Sequence, residues 1–263
     1  MESRDAPTAH GALPVPPWPA NDWALFLDVD GCLLDFAAHP SEVVVPVHLQ
    51  RDILRLRERL GGALALVSGR SLDSIDAMFG ELRDVPAAGM HGLERREVDG
   101  RRTHAPLAPD ALEGVFAEAR QVAATFPGAI VERKGPNLAL HWRAAPQAHD
   151  ALRAFAAAAL RVLPDYRAQG GDMVLELRPG GDSPDKGSAV ESFLAQAPFR
   201  GRVPVMVGDD LTDEHAFSIV NAREGLSVLV GDRTPSAARW RLATPAAVRD
   251  WLAYTTAPTG VHA

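Results

Sequence analysis

The chain has 263 residues, 46% of them hydrophobic and 23% charged, with a formal net charge of −7. That is enough apolar material for one or two domains with a sizeable core, and the acidic balance argues against a nucleic-acid binder. No apolar stretch is long enough to span a bilayer, and the single cysteine, Cys32, leaves no internal disulfide, so a cytoplasmic protein with no membrane partner is expected.

Residues 1–21 carry Pro7, Pro14, Pro16, Pro17 and Pro19 and no continuous apolar run. They lack the centre of a signal peptide and read as a flexible tail. Trp23 to Leu27 is an apolar run that ends in Asp28 and predicts a buried strand. Leu49, Ile53, Leu56 and Leu60 recur at helical spacing, with Gly61-Gly62 as the stop. Ala63 to Val67 predicts a second strand, ending at Ser68-Gly69-Arg70, and Leu72, Ile75 and Phe79 a second helix. Alternating strand and helix is the pattern of a parallel sheet covered on its faces. The pattern returns late in the chain. Val203 to Val207 runs into Gly208-Asp209-Asp210, a helix follows through Phe217 and Val220, and Ser227 to Val230 predicts a strand. Thr244-Pro245 opens a last helix.

The middle differs. A helix is predicted near 110–126, strands over Ala129–Lys134 and Asn137–Arg143, an Ala-rich helix over 147–163 and a strand over Met173–Arg178. Helix, hairpin, helix and strand predict a small α+β unit with an antiparallel sheet. The division expected is core 22–105, cap 106–179 and core 180–263.

In open α/β sheets ligands bind beyond the carboxyl ends of the strands. Asp28-Val29-Asp30-Gly31, Ser68-Gly69-Arg70 and the stretch from Gly208 through Asp209, Asp210 and Asp213 all fall there, and Asp185-Lys186-Gly187 opens a predicted helix. Each cluster alone is ordinary turn or cap chemistry. Together they match the needs of phosphate-ester hydrolysis. A carboxylate that attacks phosphorus splits a very slow reaction into two steps, but it repels the phosphate, so cations must neutralise both. Mg²⁺ on one or two carboxylates is the usual device. Asp28 suits nucleophile and metal ligand, Asp30 acid and base, and Asp209 completes the metal site with Asp210 or Asp213 nearby. Ser68 suits a phosphoryl oxygen and Lys186 a fixed positive charge.

At these clusters the chain resembles the haloacid dehalogenase superfamily. The resemblance implies a Rossmann-like parallel-sheet core of that type with an inserted α+β cap. It implies Asp28 as nucleophile, Asp30 as acid/base, and Mg²⁺ held by Asp28, the Asp30 backbone carbonyl and Asp209. Cys32 stands where that superfamily most often has threonine, a stronger hydrogen-bond donor. A narrower resemblance, to trehalose-6-phosphate phosphatases, rests on Ala63 to Arg70, Gly89 to Arg96, Glu132 to Gly135, Leu138 to Arg143, Glu176 to Pro179 and Gly208 to Glu214. It implies a sugar phosphate as substrate and a functional link to a trehalose-6-phosphate synthase.

Strand periodicity puts Glu132 and Lys134 on one face, and Glu176 and Arg178 with Val174 on one face of another strand, with Met173, Leu175 and Leu177 opposite. Carboxylates and a lysine suit a dense array of hydroxyls, and the resemblance assigns Glu132, Lys134 and Glu176 to the sugar. Arg70, His91, Asn137 and Arg178 complete the candidate substrate set. On residue pattern alone His91 and His141 read as polar-contact residues, and the polar cap face as a solvated sheet surface. Three alternatives stay open: the same chemistry on sucrose 6-phosphate, a glycosyl phosphoglycerate or a hexose phosphate; a phospho-accepting signalling domain; and an inactive sugar-phosphate sensor. Asp30 and the inserted cap argue against the signalling domain.

Overall fold

The computed structural model describes residues 13–36, 43–104, 108–171, 173–181 and 183–254. In chain order its elements are β1 (Trp23–Leu27), α1 (Leu49–Arg59), β2 (Leu64–Val67), α2 (Leu72–Met78), β3 (Ala87–Gly89), β4 (Glu94–Arg96), β5 (Arg102–Thr103), α3 (Ala111–Ala124), β6 (Ile130–Lys134), β7 (Asn137–His141), α4 (His149–Val162), β8 (Tyr166–Gly171), β9 (Val174–Pro179), α5 (Lys186–Leu194), β10 (Val203–Gly208), α6 (Glu214–Ala222), β11 (Leu226–Val230), β12 (Trp240–Leu242) and α7 (Pro245–Tyr254). They form an eight-stranded sheet, β12-β11-β10-β1-β2-β3-β4-β5, and a four-stranded sheet, β6-β7-β9-β8.

The large sheet is parallel from β12 to β3, with β4 and β5 added antiparallel at one edge. Alternation along β1 sends Leu25 and Leu27 to one face and Ala24 and Phe26 to the other. Leu25 and Leu27 pack with Ile53 and Leu56 of α1, Ile75 of α2 and Trp251 of α7. Phe26 packs with Phe193 of α5 and Phe217 of α6. Each of these fully buried side chains stabilises the fold by about 1.5–3 kcal/mol. β1 lies between β10 and β2, so the carboxyl ends of the three strands bring Asp28, Asp209 and Ser68 to one edge of the sheet.

The small sheet is antiparallel, and α3 and α4 cover one of its faces. Leu138, Leu140, Leu175 and Leu177 point into that helical layer. The opposite face carries Lys134 paired with Asn137, Arg167 paired with Arg178, and two rows in full register. One is Glu132, Ala139, Glu176 and Gln169; the other is Ile130, His141, Val174 and Gly171.

Short or weakly patterned strands differ from the sequence expectation. β8 reads Tyr-Arg-Ala-Gln-Gly-Gly, with no apolar alternation, and is held by pairing with β9 along its whole length. β3, β4, β5 and β12 have three residues or fewer. The flexible reading of the tail does not extend to residues 13–21. The Pro14 carbonyl accepts from the Arg241 N–H at 2.9 Å, the Pro17 carbonyl accepts from Trp251 Nε1 at 2.9 Å, and the Pro19 carbonyl accepts from Arg59. Residues 1–12 of that tail lie outside the described residues.

Candidate active site

The site starts from Asp28, buried where β1 ends. Its backbone N–H donates to the Val207 carbonyl at 2.9 Å, which ties the strand end to β10. One turn later Gly31 adopts φ +74, and a Cβ there would fall 2.1 Å from Asp209 Oδ2. Only glycine meets both constraints. The turn therefore lets the Asp209 carboxylate close on Asp28.

Lys186 enters from α5. Asp185 caps this helix, accepting the Ser188 N–H while the Ser188 hydroxyl accepts the Asp185 N–H. The buried Lys186 ammonium lies 2.9 Å from Asp28 Oδ1 and 2.8 Å from Asp213 Oδ1. Burial works against its charge, but Asp213 and Asp28 outweigh burial and hold the ammonium well above its ordinary pKa.

Asp213 is wholly buried. Its Oδ2 accepts the backbone N–H groups of Asp209 and Asp210, at 3.1 and 3.0 Å. A Cβ on Gly208 would come within 2.3 Å of this carboxyl group, so the close approach needs glycine.

Asp28, Asp209 and Asp213 offer carboxylate oxygens that all lie within 4.8 Å of one another. Burial, then the neighbouring charge of Asp213, pushes the Asp209 carboxyl up to about 7. Burial also raises Asp28 well above the usual carboxylate range, against the pull of Lys186 and with Asp213 and Asp209 adding to it. Three carboxylates against one ammonium leave a local excess of negative charge, and a divalent cation would relieve it. Asp213 already accepts Lys186 and two backbone N–H groups. Asp28 and Asp209 are therefore the residues whose oxygens fit a metal, with Asp213 holding the frame. Asp210 is not in this cluster; its side chain accepts the Leu211 N–H at 2.7 Å. The Asp30 side chain is also outside the cluster.

Asp30 is held by Arg70, whose Nε and Nη2 donate to its two oxygens at 2.7 Å each. Ser68, almost fully buried at the end of β2, accepts the Arg70 N–H on its hydroxyl at 3.1 Å. Behind these residues, Met90 and His91 take left-handed conformations, φ 50 and 55. Such backbone is uncommon away from glycine. Their N–H groups donate to the Arg70 and Ser68 carbonyls at 2.7 and 2.9 Å, which fixes the turn.

The polar face of the small sheet lies opposite. Between the two is a cavity of about 600 Å³, within the usual ~300–1,000 Å³ of small-molecule sites. Asp28, Asp30, Arg70, Lys186 and Asp209 line one side, and Glu132, Lys134 and Glu176 the other. Glu132 lies 3.2 Å from Lys134 and 3.2 Å from His141 Nε2. Glu176 lies 3.1 Å from His91 Nε2, so this pair joins cap to core. Burial alone would raise Glu176, but His91 foremost, with Lys134 and Arg178, brings it down to about 2.

Two expected sugar contacts lie off the cavity wall. Asn137 is wholly buried and donates Nδ2 to Glu176 Oε1 at 3.0 Å, so it orients that carboxylate. Arg178 is wholly buried and donates to Gln169 Oε1 and to the Pro184 carbonyl. Sequence reasoning missed Gln169 and Thr212 and undervalued His141, all on the wall. His141 shares the Ala139 face of β7, a signal that period-two counting contains; Gln169 sits on a strand with no pattern to find.

A family model described as trehalose-phosphatase matches residues 26–246. The chain is 43% identical over 231 residues to a trehalose-6-phosphate phosphatase of Escherichia coli (strain K12), covering 88% of this chain and 85% of that one. It is 44% identical over 217 residues to a protein of Sinorhizobium fredii (strain NBRC 101917 / NGR234) named as a probable trehalose-phosphate phosphatase, covering 82% and 80%. The crystal structure of a trehalose-6-phosphate phosphatase related protein aligns with a TM-score of 0.72 at 25% identity, covering 88% of this chain and 96% of that one.

Proposed function

The chain belongs to the trehalose-phosphatase family, within the haloacid dehalogenase superfamily, and we propose that it hydrolyses trehalose 6-phosphate to trehalose and inorganic phosphate through a phospho-aspartate on Asp28. It is a phosphoric monoester hydrolase, acting on a sugar phosphate. The observation that carries the substrate reading is one cavity with two unlike walls. The Asp28–Lys186–Asp209 cluster faces the Glu132–Lys134–Glu176 face of the cap across it.

In this reading residues 106–179 act as a cap on the core formed by 22–105 and 180–263. An Asp28 oxygen attacks phosphorus, and the bond from phosphorus to the sugar oxygen breaks. Asp30 gives its proton to that oxygen as trehalose leaves. Asp30 then takes a proton from a water whose oxygen attacks the same phosphorus. The bond to Asp28 breaks and inorganic phosphate is freed. Lys186 keeps positive charge beside Asp28 throughout, and the Ser68–Arg70 turn positions phosphoryl oxygens. Mg²⁺, held by Asp28 and Asp209 with the Asp30 carbonyl, supplies the charge that lets an anionic nucleophile approach a phosphate. Arg70 engages one lone pair on each Asp30 oxygen, and the second lone pair of either oxygen remains for the proton that Asp30 moves. Glu132, Lys134 and Glu176 bind sugar hydroxyls, and Asn137 and His91 hold Glu176 in place.

We place the enzyme in the cytoplasm, supplied by a trehalose-6-phosphate synthase; among the described residues no helix is long and apolar enough to cross a membrane. Phosphate release from trehalose 6-phosphate, sucrose 6-phosphate and glucose 6-phosphate, each with and without Mg²⁺, tests the reading. Strong Mg²⁺-dependent release from the first alone is the expected result. Equal release from another ester discards the cap assignment, and no release from any discards the hydrolysis.

A further inference from the structure

A second cavity, of about 270 Å³, lies between β8 of the cap and the starts of α5 and α6 in the core. It is far larger than the ~10–15 Å³ that one water needs. His91, Gln169, Lys186 and Thr212 line both cavities, so the two adjoin. Of the residues of the second cavity, the proposed hydrolysis uses only His91 and Lys186.

Two arginines dominate it. Arg167 and Arg178 stand directly opposite each other across β8 and β9. Like charges in that position destabilise a sheet. Among the described residues neither has a carboxylate within the 4.0 Å of an ion pair. The nearby carboxylates are engaged elsewhere: Glu176 by His91 and Asn137, Asp185 by His215 and the Ser188 N–H. Arg178 is wholly buried, yet its protein partners, Gln169 Oε1 at 3.1 Å and the Pro184 carbonyl at 2.6 Å, are neutral. Its Nε is buried with no partner. Burial, with Arg167 adding to it, presses the guanidinium below its ordinary pKa against the pull of Glu176 and Asp185. A buried cation without an anion is costly. Guanidinium groups are suited in shape and charge to a bidentate oxyanion.

We propose that this cavity is a second oxyanion site, taking inorganic phosphate between Arg167 and Arg178. Its phosphate comes either from the neighbouring Asp28 as product or from solution. The first source rests on the hydrolysis reading; the site itself does not.

Calorimetric titration of inorganic phosphate into the full chain tests the site, once with Mg²⁺ and once with a chelator. With the chelator the Asp28–Asp209–Asp213 carboxylates repel the anion, so binding there reports the second cavity. One phosphate per chain is expected, weakened about tenfold or more by Arg167→Gln, the loss of one charged hydrogen-bond donor. Arg167 is on an exposed edge strand, so this variant keeps its fold, and its melting temperature checks that it does. No phosphate binding in the chelator, or equal affinity in a folded Arg167→Gln variant, overturns the proposal. Steady-state turnover of trehalose 6-phosphate separates the sources while supporting the site in either case. A lower kcat in Arg167→Gln identifies product phosphate, and an unchanged kcat with weakened phosphate binding identifies phosphate from solution. Absent turnover with phosphate still bound removes the hydrolysis reading and leaves the site standing.

Discussion

Arg70 grips both carboxylate oxygens of Asp30, Nε to Oδ2 and Nη2 to Oδ1, each at 2.7 Å. A planar, two-point grip fixes the carboxylate's orientation as well as its position. If placing Asp30 is the work of Arg70, its loss matters only while Asp30 is present. Arg70→Ala is expected to lower kcat by roughly 10–100-fold, and Arg70→Lys to restore little, since an ammonium cannot make the bidentate pair. In an Asp30→Asn background the further loss should be under about threefold. Equal losses in both backgrounds would show that Arg70 acts on the substrate directly.

Lys134 lies on the cap wall, 3.2 Å from Glu132. It is far from the chemistry along the chain and serves the sugar in this account. Lys134→Ala should raise KM for trehalose 6-phosphate at least about tenfold, the cost of a charged hydrogen bond, while sparing a small phosphate ester such as p-nitrophenyl phosphate. Parallel losses on both esters would make Lys134 a support of the fold.

The crowded carboxylates predict an unusual stability effect. Removing one of them lessens repulsion around Asp28, so Asp209→Asn should melt higher than the parent in chelator. The parent should gain stability with Mg²⁺, about 2.7 kcal/mol at 100 times Kd, and the variant much less. A metal-dependent rise of equal size in both proteins would place the metal elsewhere.

Glu176 gives a pH test. Its carboxyl is brought from an ordinary 4.5 down to about 2 in the folded state. A depressed folded pKa means stability that is fully present above the unfolded value and lost as pH falls through the folded one. The window is therefore from about 4.5 down to about 2, and the contribution at neutral pH is on the order of 3 kcal/mol. Glu176→Gln should be less stable than the parent at pH 7, and the gap should narrow steadily below pH 4.5. A constant gap across that window would mean that the charge of Glu176 carries no stability.

Much of this was legible in the sequence. Buried parallel strands leave continuous apolar runs, so β1, β2 and β10 announced themselves and placed Asp28, Ser68 and Asp209 at a common edge. Period-two alternation placed Glu176 opposite Leu175 and Leu177, as found. What stayed hidden has a physical cause in each case. β8 has no apolar run, because Ala168 and Gly170, the positions paired with Leu177 and Leu175 of the helical layer, are too small to mark a face. Asn137 and Arg178 share the wall's face by periodicity, but both are buried and bonded within the protein, Asn137 to Glu176 and Arg178 to Gln169 and the Pro184 carbonyl. Proline-rich residues 13–21 looked free because their attachments are backbone carbonyls, which no side-chain pattern encodes.

The central claim is that Asp28 carries the phosphoryl group. Asp28→Asn should fold and lose turnover by a factor on the order of 10⁴ or more. The direct measurement uses the parent chain, acid-quenched within the first turnovers of trehalose 6-phosphate and reduced with borohydride. An acyl phosphate on Asp28 is reduced to homoserine, which peptide mass mapping locates at position 28. Homoserine there, absent without substrate, is the result this account predicts. Turnover with Asp28 unmodified, or a phosphoryl group on another residue, would contradict it.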